Sequence, residues 1–182
     1  MGDVTMRFLL VTMLILFPFG ISVSAQNAQV ATVIKGAQIE ETARKAEREK
    51  IIDITVKHVQ DGDANVGIGV LHRPIMKSDG PINAILHHNQ TEVYRIMAGV
   101  GTLATSLKMI DVTQLDPDGF TVKNLTGPSD FGKIVEVENS QKLSKGDIVI
   151  IPAGVAHGFS EITQAIDYMV VRIDPDKLVA LK

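Results

Sequence analysis

Gly146-Asp-Ile-Val-Ile-Ile-Pro152-Ala-Gly154-Val-Ala-His157 is the stretch that decides the fold. Gly146 can take a positive φ at no steric cost. Ile148 to Ile151 are β-branched and suit a pleated, buried strand. Pro152 has no N–H to give a ladder, so the strand ends there, and Gly154 turns the chain. His157 then opens a return strand, where its imidazole can point into a cavity.

A second stretch answers it upstream: His87-His88-Asn-Gln-Thr-Glu92-Val-Tyr94-Arg-Ile-Met-Ala-Gly99-Val-Gly101. It carries two histidines, a turn, a carboxylate, an apolar strand and a glycine turn. Imidazole and carboxylate are ligand types that hold Fe, Mn, Zn, Ni or Cu.

Together the two stretches resemble the cupin family, whose first motif runs G-x5-H-x-H-x3–4-E-x6-G and whose second runs G-x5-P-x-G-x2-H-x3-N. The second fits at Gly146, Pro152, Gly154 and His157, with Glu161 where the final Asn would stand. The first fits at one or both of His87 and His88, at Glu92 and at Gly99; Ile85 or Leu86 fills its first His position. The resemblance covers roughly residues 65–175. It implies an all-β, double-stranded β-helix (a cupin jelly-roll barrel) and a divalent metal held by His87 or His88, Glu92 and His157. A set of two His and one carboxylate leaves open positions on such an ion.

Side chains alternate across a strand, so adjacent His87 and His88 cannot both enter the barrel while the strand is regular. One register sends Ile85 and His87 inward. The other sends in Leu86 and His88, and the spacing from Gly80 favours it, although Pro81 makes that glycine a poor anchor. Residues 88–91 make a comfortable turn, with Asn89 able to adopt a left-handed conformation, and this favours His87 facing Glu92 across the ladder.

Other residues are candidates for substrate contact. Arg73 ends a strand near the expected mouth and can grip a carboxylate bidentately. Arg172 follows the apolar run Met169–Val171 and can reach inside. Tyr94 shares strand parity with Glu92, so its hydroxyl has a site carboxylate as partner, and both are candidate catalytic groups. Phe159 is a wall residue. His58 falls on the polar face of its strand and is expected to face water. No Ser or Cys has a nucleophile-elbow context and no Gly-rich loop precedes a helix, so hydrolase triads and phosphate cradles are unsupported.

The rest of the 182-residue chain frames this site. Phe8–Ile21 followed by Val23-Ser24-Ala25 has the layout of a secretory leader, giving a signal peptide over 1–25 and a periplasmic or secreted product. The apolar run is short for a spanning helix, so no membrane contact is expected after cleavage. Residues 26–50 form an extension with a helix over Gly36–Lys50, and 51–182 the barrel domain. The helix carries Ala37, Ile39, Ala43 and Ala46 near one stripe, with Glu40–Arg44 and Glu41–Lys45 as i,i+4 pairs. From Ile51 the period changes: Ile52, Ile54 and Val56 alternate with polar residues as in a half-buried strand. Eight to ten short strands follow, and Lys108–Asp130 reads as an irregular lid or dimer-edge loop. Net charge is −3, with no basic field for nucleic acid. The expected partners are a small-molecule ligand and a second copy of the chain, paired through the strand Ile51–Val56. The expected function is metal-dependent chemistry of dioxygenase or isomerase type on a small organic molecule, or metal-free binding of one.

Overall fold

The computed structural model describes residues 31–181; the leader expected over 1–25 lies outside the described residues. Helix α1 (Gly36–Glu49) is followed by β1 (Asp53–Asp61), β2 (Ala64–Arg73), β3 (Met76–Lys77), β4 (Ile82–His87), β5 (Thr91–Ser106), β6 (Ile110–Gln114), β7 (Ser129–Ile134), β8 (Asn139–Ser144), β9 (Ile148–Ile151) and β10 (Ala156–Asp174). A short π-helical segment, Val122–Thr126, precedes β7.

Two strands organise the rest. β5 has 16 residues and β10 has 19, and they pair antiparallel along most of their length. Residues 166–174 of β10 also pair with β2, which pairs with β1, while residues 92–95 of β5 pair with β9. That gives one layer, β1-β2-β10-β5-β9. The other halves make a second layer: β10 meets β4 at His157 and Ile85, β4 pairs β7, β7 pairs β6, and residues 100–105 of β5 pair β8. This is the expected all-β double-stranded roll, with one N-terminal helix. Between the layers pack Ile96, Tyr168, Ile162, Ile166 and Val170, all at most 1% exposed.

Both long strands were expected as pairs of shorter ones, Glu92–Ala98 with Thr102–Leu107 and Ala156–Glu161 with Ile166–Ile173. They stay continuous because their ladder bends instead of ending. Gly99 takes φ +83°, and a Cβ there would collide with the Ala165 carbonyl. The register of β10 on β5 shifts repeatedly between Phe159 and Tyr168. Such bulges bend a strand without terminating it.

The irregular region Lys108–Asp130 holds β6 and the π-helical segment, and β7 begins at Ser129, ahead of the Lys133–Val137 strand expected from alternation. β8 has no apolar alternation to announce it; only Leu143 of its six residues is buried. In β9, Ile148 and Ile150 are 62% and 66% exposed, because this short strand pairs only with β5 and turns one face outward.

β1 reverses its expected parity. Asp53 and Thr55 turn toward the interior while Ile52 is 50% exposed. An irregularity between Thr55 and Lys57 then brings His58 inward, and it is 6% exposed instead of facing water. The two glycines of β2 make this feasible. A Cβ on Gly67 would lie 2.5 Å from the His58 ring, and one on Gly69 would press Val170, Asp53 and Arg172 at 3.1–3.4 Å. Their absent side chains are the space that His58 and the Asp53–Arg172 pair occupy.

α1 lies against β1 and β2, burying Ala43 and Ala46. Its solvent face pairs Arg44 with Glu41 at 3.0 Å and Lys45 with Glu49 at 4.0 Å, in place of the expected Glu40–Arg44 and Glu41–Lys45. Exposed pairs of this kind are nearly interchangeable in energy.

Candidate metal centre

The two motif turns meet each other. Gly146 and Gly154 take φ +99° and +80°, and Pro152 follows directly on the end of β9. The Gly154 N–H donates to the His87 carbonyl at 2.8 Å, so the second turn clamps the backbone of the first histidine.

Three buried side chains converge inside the roll. His87, Glu92 and His157 are 4%, 1% and 4% exposed, and their ligand-type atoms all lie within 4.8 Å of one another. Nε2 of His87 and Nε2 of His157 stand 3.3 Å and 3.2 Å from Oε2 of Glu92. His87 and Glu92 are not ladder partners as expected. His87 pairs with Ser129 on β7, Glu92 pairs with Ile151 and Arg172, and the two meet across the interior. His88 points elsewhere: its Nε2 lies 3.0 Å from Asp130, and a third of its side chain is exposed. Strand parity excludes it from the cluster.

The outer nitrogens of both rings are tied down. Nδ1 of His157 lies 3.0 Å from the Val155 carbonyl, which can only accept, so Nδ1 carries the proton. Nε2 is then a bare lone pair, and it is buried without a hydrogen bond although Glu92 Oε2 is close by. The contact is between two acceptors. Nδ1 of His87 lies 2.9 Å from the Ser129 hydroxyl, whose own proton has the Thr126 and Gly127 carbonyls as acceptors. His87 therefore also turns a lone pair toward Glu92. Burial depresses the His87 imidazole below its ordinary range, against the pull of Glu92, so the ring is neutral at pH 7.

Glu92 is the anion of the cluster. Burial works against its charge, but His87 and Arg172 outweigh it and hold the carboxyl well below the usual range; Arg172 is the partner that stays charged at neutral pH. Arg172 Nε donates to Oε1 at 2.8 Å, and the Tyr94 hydroxyl donates to Oε2 at 2.6 Å. Burial and Glu92 push the Tyr94 hydroxyl well above its ordinary value, so it keeps its proton. Arg172 is held on its other side by Asp53 at 2.5 Å. Its guanidinium is thus engaged by two carboxylates and is absent from the lining of the mouth cavity, which corrects its expected role in substrate contact.

These residues fit a metal ion. Bonds of about 2.1 Å in a tetrahedral shell put ligand atoms roughly 3.4 Å apart, close to the observed 3.2 and 3.3 Å. A cation would also satisfy two imidazole lone pairs and a carboxylate that face one another. The locked Nδ1 positions are the outer-shell contacts that orient ligating imidazoles.

A mouth cavity of about 310 Å³ reaches His157 from outside. Arg73 and Phe159 line it, whereas Tyr94 lies behind, packed edge-on against His157. A larger cavity of about 590 Å³ lies under α1, bordered by Arg95 and Lys145, away from these residues. Asp53, Ser129 and the Val155 carbonyl went unnoticed in the sequence. The alternation of Ile52, Ile54 and Val56 turns Asp53 outward, and nothing local marks the other two.

No family model matches the chain. Two methionine–tRNA ligases from strains of Bifidobacterium longum are 28% identical to it over 120 residues, 64% of this chain and 19% of theirs. The chain thus spans about a fifth of the length of the curated relatives it matches. Among solved structures, a protein of Bacillus halodurans covers 80% of this chain and 83% of its own at 10% identity and a TM-score of 0.47. A cupin 2 conserved barrel domain protein of Salinispora arenicola covers 66% and 72% at 13% identity and a TM-score of 0.37. The DMSP lyase DddQ of Ruegeria pomeroyi covers 64% and 46% at 16% identity and a TM-score of 0.35. The strand order itself settles the architecture: a two-layered antiparallel roll with His87, Glu92 and His157 at the motif positions has the cupin fold.

Proposed function

We propose that this chain is an exported cupin-fold protein that holds a divalent metal at His87, Glu92 and His157 and binds or transforms a small organic molecule in the barrel mouth. The observation that carries the reading is the buried, unbonded Nε2 of His157, aimed at an ionised carboxylate. A bound divalent ion supplies Lewis-acid polarisation of a ligand oxygen. The chain's own residues supply the rest. Val155 and Ser129 fix both imidazoles, Glu92 is the ionised group able to accept a proton, and Tyr94 steadies its Oε2. Dioxygenase- or isomerase-like chemistry suits such a donor set.

Metal analysis of protein purified without a chelating tag tests this. Wild type should carry close to one divalent ion per chain, and His157→Ala should lose most of it. Wild type that takes up no ion under any divalent supplement would sink the reading. One observation favours a second reading, a metal-free binding module: Arg172 already neutralises Glu92. A ligand that binds equally well with and without chelator would select it.

Export and pairing belong to the same proposal. Phe8–Ile21 ahead of Ala25 supports cleavage near Gln26, which mass spectrometry of the mature N-terminus would read. β1 ends the strand order and leaves Ile51 and Ile52 exposed, which supports a homodimer through that edge. Light scattering showing a monomer at micromolar concentration would count against it.

A further inference from the structure

The charge and shape of the mouth cavity narrow the class of molecule it can take. Ile52, Met76, Ile85, Phe131, Phe159 and Ile162 give it apolar walls. Phe131, Ile52 and Met76 at its rim are 48%, 50% and 36% exposed, more apolar surface than a closed wall would leave. Among the described residues no carboxylate lines it, and Arg73 is the one lining side chain with a permanent charge.

Arg73 is also fixed in an unusual way. Its Nε donates to the Tyr168 hydroxyl at 2.8 Å, and its Cζ lies 5.9 Å from the centre of the Phe159 ring. Tyr168 is fully buried and stacks on Tyr94 at 4.5 Å, so the hydroxyl that holds Arg73 is itself immobile. Asp53, the carboxylate of the same region, is occupied by Arg172. Both partners of Arg73 are neutral, and no ion pair to it forms among the described residues. Because Nε is taken, the two Nη groups remain, and they present two parallel N–H donors. That end of a guanidinium matches the two oxygens of a planar carboxylate. Besides Arg73, the Asn83 amide is the one lining side chain with a free N–H donor to offer, fewer than a phosphate dianion calls for.

We infer that the mouth cavity takes a small carboxylate with an apolar body, its carboxylate gripped by the Nη pair of Arg73 and its body lying against Ile85, Phe131 and Phe159. The inference rests on the barrel mouth being a small-molecule site, and it is independent of whether a metal is bound. At about 310 Å³ the cavity is at the small end of ligand sites, which suits a single ring or a short chain.

Calorimetric titration of the full chain with benzoate, benzamide and benzylammonium tests it. The three probes share one body and differ in charge. Wild type should bind benzoate at least tenfold more tightly than benzamide, and benzylammonium most weakly. Arg73→Gln should remove the preference. Arg73→Lys should reduce it without reversing it, and this second variant keeps the test open if the first fails to fold. Each titration is run with and without chelator, and metal content is measured on the same samples. Wild type that takes up no divalent ion yet keeps the benzoate preference would sink the metal reading and leave this one standing. Equal binding of benzoate and benzamide, or no binding of benzoate in the millimolar range, would overturn the inference. So would a preference that survives Arg73→Gln but vanishes with chelator, which would put the carboxylate on the metal.

Discussion

Arg172 and Arg73 are two guanidiniums of one barrel, and their surroundings are opposite. Arg172 is 3% exposed and sits between Glu92 and Asp53, at 2.8 and 2.5 Å. Arg73 is half-buried and touches a hydroxyl and an aromatic face. A buried cation with carboxylates on both sides is internally balanced and serves the architecture. A cation with only neutral neighbours, lining a cavity, is balanced from outside. The two surroundings therefore differ in kind: the Arg172 layer is complete, and under the inference above the mouth is completed by what binds there.

Removing each cation would break the comparison first. Arg172→Met leaves two carboxylates facing each other without water, and breaking a buried pair in this way costs about 3–5 kcal/mol. Arg73→Met removes one hydrogen bond at a site that water can reach and should cost about 1 kcal/mol. Urea unfolding would measure both, and equal costs would mean that Arg73 is as structural as Arg172.

The adjacent histidines come next. His87→Ala should weaken metal or ligand binding at least tenfold, about 1.4 kcal/mol, whereas His88→Ala should change it less than twofold. The reason is placement: His87 is in the cluster, and His88 pairs with Asp130 on the other face. Equal losses would mean that the strand bulges to bring both rings inward.

What the sequence revealed follows from how local each feature is. The turns at Gly146, Pro152 and Gly154 announce themselves because positive φ and a missing N–H are single-residue properties. His87, Glu92 and His157 are legible for the same reason: their spacing is set by two turns and by parity. The inward turn of Asp53 and His58 was hidden, since an irregularity in β1 and two glycines in β2 act together across a ladder. Ile52, Ile54 and Val56 alternate as an inward face should, yet a cross-strand charge on Arg172 outweighs that pattern. Ser129 contributes through contact with His87, 42 residues away in the chain, and no local pattern carries that. The mouth cavity depends on five separated segments, so its charge balance became visible only once they met.

Acid should act on the cluster before it acts on the mouth. The folded His87 is held below its ordinary value of 6.5 and the folded Glu92 well below 4.5. In both cases the unfolded chain binds the proton more readily, so their contribution is present above the unfolded values and is lost as pH falls. Stability of chelated protein should begin to decline below about pH 6.5 and fall further below about pH 4.5. A flat profile over that range in urea titrations would contradict the neutral His87 and ionised Glu92 argued above. Metal-loaded protein should resist the first step, because an ion competes with the proton for the same imidazole.

The smallest chemical change sharpens the comparison most, since it removes one oxygen from each side. Tyr94→Phe deletes the 2.6 Å donor to the ionised Oε2 of Glu92, inside a layer that water does not enter. Losing a hydrogen bond to a buried charge costs about 1.5–3 kcal/mol, and the acid limb should move to higher pH because the ionised form has lost a donor. Tyr168→Phe deletes the acceptor for Arg73 Nε, but the guanidinium borders the cavity and water can take the hydroxyl's place. Its stability cost should stay below about 1 kcal/mol. The effect of Tyr168→Phe should appear in ligand selection instead: with Nε released, Arg73 can rotate, and the benzoate preference should shrink although the charge remains. If Tyr168→Phe destabilises as much as Tyr94→Phe and leaves the preference unchanged, the hydroxyl is a core contact, and Arg73 does not owe its orientation to it.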